Sequence, residues 1–262
     1  MSRVFFHSLH SEWLKQRRSL ASWMVIVGAF FTPAIIIVAR LIHREGLPSL
    51  YASDGFWQLL WRNSWESAAI FFLPIGGTLA TTLITQIEYK NNAWKLLHTL
   101  PLSVATIYFS KLAIILLMLV QFFLLFNVGI YLSAVIPHLL VPGVPYPMGP
   151  IPHARFIGEN LLFFLDCLPI VALQYAISLR FRNFLIPVGI GFMLWVGTLA
   201  ALSWQWSFLI PYSYTMIEYL KEGARGKVAA PAVDIHAMAI GYFLLFTTAG
   251  YYWLFATRKE KG

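Results

Sequence analysis

Charged residues are scarce in this 262-residue chain, and their scarcity excludes an ordinary soluble domain. Asp, Glu, Lys and Arg make up 11% of the sequence, and hydrophobic residues make up 59%. A soluble domain has about 25% charged residues. The apolar residues fall in runs of about 20, the length that a helix needs to cross a bilayer, and not in the alternating pattern of a β-barrel. The composition therefore predicts an all-α, polytopic membrane protein.

Cysteine and the signature motifs of common enzymes are also nearly or wholly lacking. Cys167 is the single cysteine and lies in an apolar run, which excludes a disulfide framework and a thiolate metal cluster. The sequence contains no G-x-x-x-x-G-K-[ST], H-E-x-x-H or G-x-S-x-G motif. We therefore expect a chain that is not an enzyme and binds no cofactor or metal directly. The net charge of +8 comes from basic residues that flank apolar runs, so we expect no nucleic-acid partner.

The apolar runs predict a single domain over residues 1–262. Six spans are predicted, at 21–42, 66–87, 111–136, 157–179, 184–205 and 235–256. They form a six-span bundle over 21–256, preceded by a basic amphipathic helix at 1–20 and followed by a basic tail at 257–262. Most lysines and arginines fall on the side that carries both termini. We therefore expect a multi-pass protein of the bacterial cell membrane with both termini in the cytoplasm.

The predicted N-terminal helix has two faces of different chemistry. Phe5, Leu9 and Trp13 recur at helical spacing, so we expect this apolar face to lie on the membrane interface. Glu12 and Lys15 fall on the polar side and are expected to stay in water.

The segments predicted on the opposite side of the membrane differ in composition. Residues 56–65, FWQLLWRNSW, predict an aromatic anchor at the outer interface. Residues 137–152 are rich in proline and predict an extended loop without regular helix. Residues 206–234 predict a short dipping helical element, followed by an exposed turn around Gly223–Gly226.

A polar segment at 88–111, EYKNNAWKLLHTLPLSVATIYFSK, lies between the second and third spans. Tyr89, Trp94 and Leu97 belong to one helical pattern, and Pro101 ends that helix because proline cannot continue it. Such a helix offers a cytoplasmic partner an apolar ridge with a charged rim. A helix lying on lipid headgroups fits the same pattern, so the residues alone leave both interpretations open.

Few polar residues lie inside the predicted spans. Asp166 is the acid placed deep in a span, where a charge is costly. It is either a substrate or gating contact, or a protonated acid bonded to a neighbouring helix. Thr78, Thr81 and Thr82 give the second span one small, polar side. That side suits close packing, and with Asp166 it is our candidate for a translocation path.

These features resemble the membrane subunit of ABC-2 type transporters, closest to the short six-span permeases of lantibiotic and peptide export or immunity. The resemblance rests on SEWLKQRRS at 11–19, on EYKNNAWKLLHTLPLS at 88–103 with IYFSK at 107–111, and on the segment between the last two spans. It implies that residues 1–20 are a connecting helix. It also implies that residues 88–100 are a coupling helix docked on a separate ABC ATPase subunit, which would carry the ATP and Mg²⁺.

The resemblance further implies roles and partners. The implied ATPase-coupling residues are Glu88, Tyr89, Lys90, Trp94, Lys95 and Leu97. A second permease copy or a paralogue would complete the transporter among membrane lipids. Export is implied by the family, and the apolar bundle favours an amphipathic peptide or lipid-like cargo. The alternative is a non-transporting scaffold or sensor that recruits a cytoplasmic partner through the same helix.

Overall fold

The computed structural model describes residues 2–90, 103–223 and 233–259, and within these ranges it is helical with no β-strand. The helices are α1 Ser2–Gln16, α2 Leu20–Ile42, α3 Leu47–Tyr51, α4 Phe56–Ser67, α5 Gly77–Lys90, α6 Val104–Leu140, α7 His153–Arg180, α8 Leu185–Ala201, α9 Tyr214–Gly223 and α10 Ile235–Lys259. A π-helical segment, Ala68–Gly76, joins α4 to α5. Two 3₁₀ turns, Ser207–Leu209 and Pro211–Ser213, precede α9.

The described residues contain five helical stretches that are long and apolar enough to cross a membrane. They are α2, the continuous path Phe56–Tyr89, α6, α7 and most of α10. The shorter apolar helix α8 corresponds to the fifth predicted span. The predicted all-helical, multi-pass class is therefore confirmed, with five to six candidate spans. The helix α10 continues through Lys259, so the predicted tail at 257–262 begins as helix.

The second span begins earlier than the sequence predicts. The prediction that its tryptophans form an aromatic anchor at the outer interface is wrong. Trp57, Trp61 and Trp65 are buried inside the protein. Trp61 stacks on Phe156 with ring centroids 4.0 Å apart, and Trp65 stacks on Phe163 at 4.2 Å. Both phenylalanines belong to α7. Two tryptophan rings at helical spacing thus fill the contact with α7, because burying large rings is more favourable than leaving them at the surface.

The prediction of an extended loop over 137–152 holds only after Leu140. Helix α6 runs through Pro137, which has no N–H and therefore leaves the carbonyl of Ser133 without its helical partner. The guanidinium of Arg40 donates to that carbonyl at 2.9 Å, so α2 satisfies the group that proline frees. The proline is tolerated because its cost is offset by this contact between helices.

Pro74 has a similar effect in the π-helical segment. Its missing N–H removes one backbone donor from the helical ladder, near the carbonyls of Ile70 and Ala69. Trp195 donates its indole N–H to the Ile70 carbonyl at 2.8 Å, and Thr215 donates its hydroxyl to the Ala69 carbonyl at 2.8 Å. These two hydrogen bonds attach α8 and α9 to the π-helical segment. The short helical element predicted over 206–234 is present as the two 3₁₀ turns and α9, whereas residues 224–226 of the predicted turn lie outside the described residues.

The N-terminal helix α1 packs on the bundle by a face that includes two polar residues, Glu12 and Gln16. Glu12 and Gln16 are buried against the bundle, whereas Trp13 and Leu14 are exposed. The expectation that Glu12 stays in water is therefore wrong. Its carboxylate pairs with the buried ammonium of Lys111 on α6. The apolar side chains of α1 remain free to face lipid.

Candidate coupling site at the base of residues 91–102

A cluster of charged side chains lies where α1, α5 and α6 meet. Lys111 Nζ is 2.8 Å from Glu12 Oε2 and 2.9 Å from Glu88 Oε1. Lys15 also pairs with both carboxylates. The side chains of Lys111 and Glu88 are each 1% exposed. We call these four residues the lysine–glutamate cluster; its two positive and two negative charges balance.

The cluster brackets the segment between the second and third spans. Glu88 lies in the last turn of α5, and Lys111 lies two turns into α6. Ser103 begins α6 as its N-cap, with its hydroxyl accepting the N–H of Thr106 at 3.1 Å. On α1, Ser8 donates its hydroxyl to Ser110 at 3.0 Å, next to Lys111. The cluster and the contact between Ser8 and Ser110 therefore join α1 to the two helices that flank residues 91–102.

Burial and charge act in opposite directions on Glu12. Burial by itself raises the pKa of its carboxyl, but attraction to Lys111 and then to Lys15 outweighs burial and leaves the pKa below its ordinary value. The carboxylate is therefore ionised at neutral pH. A buried pair of this kind is strongly destabilising when one partner is removed, because the other charge is left unpaired in a medium of low dielectric constant.

The end of α5 is also attached to α7. Tyr89 donates its hydroxyl to the carbonyl of Leu179 at 2.6 Å, and Gln86 donates its amide to the carbonyl of Phe181 at 2.7 Å. The last carbonyls of a helix have no partner within the helix, so α7 offers acceptors here. The end of α5 is thus attached to α1, α6 and α7.

The structure brings only some of the predicted coupling residues to this site. Glu88 and Tyr89 take part in the contacts just described, and Lys90 is the last residue of α5. Trp94, Lys95 and Leu97 lie outside the described residues. Sequence reasoning missed Glu12 and Lys15, because they are distant along the chain. The available signal was an acid and an amine, Glu88 and Lys111, at the ends of two apolar runs.

Two of the threonines predicted to line a translocation path belong to a buried neutral network. Thr78 Oγ1 is 2.9 Å from the hydroxyl of Tyr212. Gln174 donates its amide to Thr82 Oγ1 at 2.8 Å and to the carbonyl of Pro187 at 2.9 Å. The network joins α5 to α7, to α8 and to the turn before α9. The hydroxyl of the third threonine, Thr81, is buried with no hydrogen-bond partner among the described residues.

A second charged cluster surrounds Asp166. Its Oδ1 is 2.9 Å from Nδ1 of His236 at the start of α10. Glu218 on α9 places Oε2 3.4 Å from Nε2 of the same histidine and 3.0 Å from Nζ of Lys221. We call these four residues the histidine–carboxylate cluster. Sequence reasoning found Asp166 but missed His236, because helix packing brings together residues that are 70 positions apart.

These helices and their buried charges define a polytopic helical membrane protein. A family model described as ABC-2 family transporter protein matches residues 8–198, well over half of the chain. The chain therefore belongs to the ABC-2 transporter family. Such a permease is a membrane transport subunit that is not itself catalytic and associates with an ABC ATPase. Searches of curated proteins and of solved structures each found no match.

Proposed function

We propose that this chain is the permease of an exporter for an amphipathic peptide or a lipid-like molecule, driven by a separate ATPase docked on residues 88–100. Both termini would lie in the cytoplasm of a bacterial cell, and a second copy or a paralogue would complete the transporter. Family membership supports a permease subunit. The observation that carries the coupling mechanism is the lysine–glutamate cluster at the base of residues 91–102.

The cluster makes three helices respond as one body. Glu88 and Lys111 hold α5 and α6 together on either side of the segment, and Glu12 adds α1. A rotation of residues 91–102 by the ATPase would then tilt these three helices together. Separating the ion pairs would leave unpaired charges buried in a medium of low dielectric constant. This cost opposes independent motion of the three helices. Nucleotide-driven movement is in this way transmitted to the spans.

The predicted coupling residues divide between positioning and contact. Glu88 and Tyr89 are engaged within the chain, so we assign them to positioning the segment. The contact with the ATPase would come from Trp94 and Leu97. Lys90 and Lys95 would steer the approach of acidic groups on the ATPase. Aromatic anchors usually dominate such interfaces, and charges at the rim mainly affect the rate of association.

The candidate translocation path remains Thr78, Thr81, Thr82 and Asp166. Thr78 and Thr82 are hydrogen-bonded to neighbouring helices in this conformation. Passage of cargo would therefore require α5 to separate from α7 and α8, with the threonine hydroxyls exchanging their partners for cargo or water. The scarcity of charge in the bundle favours a largely apolar cargo.

Purification from native membranes, followed by reconstitution with the ATPase that is recovered, tests the proposal. We expect Trp94→Asp to weaken ATPase binding by about 30-fold, the loss of a dominant aromatic anchor, and to lower ATP turnover and cargo export together. Trp94→Phe is the matched control and should retain most binding. Unchanged binding and turnover in Trp94→Asp would refute the docking role of residues 88–100. Normal ATPase binding without export of any tested peptide or lipid would favour the scaffold alternative.

A further inference from the structure

The histidine–carboxylate cluster lies in a different part of the bundle from the coupling site. Leu179, which binds Tyr89 beside the lysine–glutamate cluster, is 13 residues beyond Asp166 on α7. At 1.5 Å per residue, the two clusters are about 20 Å apart along that helix. The coupling contacts therefore do not account for the histidine–carboxylate cluster.

Three of its side chains converge from three separate helices. Asp166, Glu218 and His236 each offer one ligand atom, and these atoms all lie within 4.8 Å of one another. The side chain of Asp166 is 0% exposed, yet its Oδ2 has no hydrogen-bond partner among the described residues. A buried carboxylate oxygen without a partner is costly. The hydroxyl of Tyr214, on α9, is likewise buried and unpartnered within the described part of the chain.

We propose that Asp166, Glu218 and His236 bind one divalent transition-metal ion, for which Zn²⁺ is the appropriate probe. One imidazole and two carboxylates suit this class of ion, whereas Mg²⁺ and Ca²⁺ prefer oxygen ligands alone. Three protein ligands leave a fourth coordination position for water. The ion would supply the missing partner of the buried Asp166 carboxylate.

Asp166 and Glu218 contact different nitrogens of His236, so binding one ion requires the imidazole to turn and present a single nitrogen to the space between the carboxylates. Ligand atoms about 2.0–2.2 Å from a tetrahedral zinc ion are roughly 3.3 Å apart, so the side chains must close by about 1.5 Å or less. Glu218 and His236 retain partial exposure, and rotation of their side chains can supply this movement. Lys221 pairs with Glu218 from the more exposed side and can turn to solvent. Bound metal would clamp α7, α9 and α10 together.

The lysine–glutamate cluster lacks the side chains that a metal site needs. It also places two carboxylates in a buried site, but they share the ammonium of Lys111, which is 1% exposed and cannot turn to solvent as Lys221 can. The imidazole of His236 is instead a metal ligand once it is neutral. The proposed site is therefore specific to one of the two clusters and does not depend on the proposed transport function.

Zinc titration of the purified full-length chain, stripped of metal in detergent, tests the site. We expect one saturable Zn²⁺ per chain by calorimetry and by elemental analysis, with a higher unfolding temperature on binding. His236→Gln should weaken binding by about 100-fold or more and abolish the thermal shift, since it removes the nitrogen ligand. His153→Gln, an exposed histidine at the start of α7, is the matched control and should bind as the native chain does. Mg²⁺ and Ca²⁺ should give no saturable signal.

The variants also define what would overturn the proposal. Zn²⁺ binding that is absent in the native chain, or unchanged in His236→Gln, would refute the site and attribute any uptake to other histidines. Asp166→Asn removes a fully buried carboxylate and can impair folding. Glu218→Gln, in the more exposed ligand, therefore provides a second measure. It should weaken binding about 10-fold or more while the protein elutes as a single species, and native affinity in Glu218→Gln would also contradict the assignment.

Discussion

The protein buries charge in two places and treats it differently. In the lysine–glutamate cluster, Lys111 and Glu88 are each 1% exposed, and amines and carboxylates balance one another. In the histidine–carboxylate cluster, Asp166 is as deeply buried, but His236 is 20% exposed. Each cluster leaves one carboxylate oxygen, of Glu88 and of Asp166, without a hydrogen-bond partner among the described residues. The cation that the carboxylates share therefore distinguishes the clusters: a fully buried ammonium in the first and a partly exposed imidazole in the second.

This difference gives the two clusters different roles. The lysine–glutamate cluster holds helices together, whereas the histidine–carboxylate cluster has the composition of a site that binds and releases an ion. The buried ammonium of Lys111 holds the centre of the first cluster, so its ion pairs are kept or broken as the helices move. The second can admit an ion through its half-buried histidine and glutamate. The two clusters also join different sets of helices, α1, α5 and α6 in one and α7, α9 and α10 in the other. A signal between them has to pass through packed helices such as α7, which contributes to the second cluster and binds the end of α5 beside the first.

The largest effect is expected from breaking the first cluster. Lys111→Met leaves Glu12 and Glu88 buried without their shared cation, so we expect a loss of about 3–5 kcal/mol of stability. Thermal unfolding of the purified protein in a fixed detergent measures this loss. Lys221→Met is the matched control, because Lys221 pairs with Glu218 from a side chain that is 33% exposed. It should cost about 1 kcal/mol or less.

Adding neutral side chains to the Lys111 variant sharpens this prediction. If the loss arises from unpaired carboxylates, Glu12→Gln and Glu88→Gln introduced together with Lys111→Met should recover much of the stability. Equal losses in Lys111→Met and Lys221→Met would show that burial does not separate the two clusters.

An intermediate loss of stability is expected at an uncharged contact between helices. It gives a reference against which the losses at the charged contacts are compared. A Cβ at Gly129 on α6 would lie 2.7 Å from Cγ of Pro33 on α2, and the proline ring has little freedom to move. Gly129→Ala should therefore cost about 1–3 kcal/mol by overpacking. Gly158→Ala, with open space around the added Cβ, should be neutral or stabilising. The two unfolding temperatures decide the point, and equal values would contradict the close packing of α2 on α6.

The smallest expected effect is on acid stability. The pKa of Glu12 is lowered from its ordinary value of 4.5 in the folded protein, so folding favours the ionised carboxylate. Its contribution is complete above about pH 4.5 and is lost as the pH falls through the lowered folded value. Glu12→Gln should be less stable at neutral pH and should lack this part of the acid-induced loss. Parallel acid titrations of the two proteins would disprove a charge-dependent role for Glu12.

The sequence alone determined the class, the approximate spans and the family of this protein. Charge scarcity, apolar runs of spanning length and local helical spacing are properties of short stretches, and they survive in any helical packing. The segment 88–111 also identified Glu88 as a residue of interest before its partner was known. These inferences needed no knowledge of which helices touch.

Tertiary structure alone decided which faces pack and which charges meet. Helical periodicity shows that α1 has two faces, but it does not show that Glu12 turns towards the bundle to pair with the buried Lys111 on α6. Glu12 and Lys111 are 99 positions apart, and Asp166 and His236 are 70 apart. Pairings over such distances depend on the order in which helices pack around one another. No local pattern encodes that order, because ion pairs and ring stacking form only after the helices are in contact.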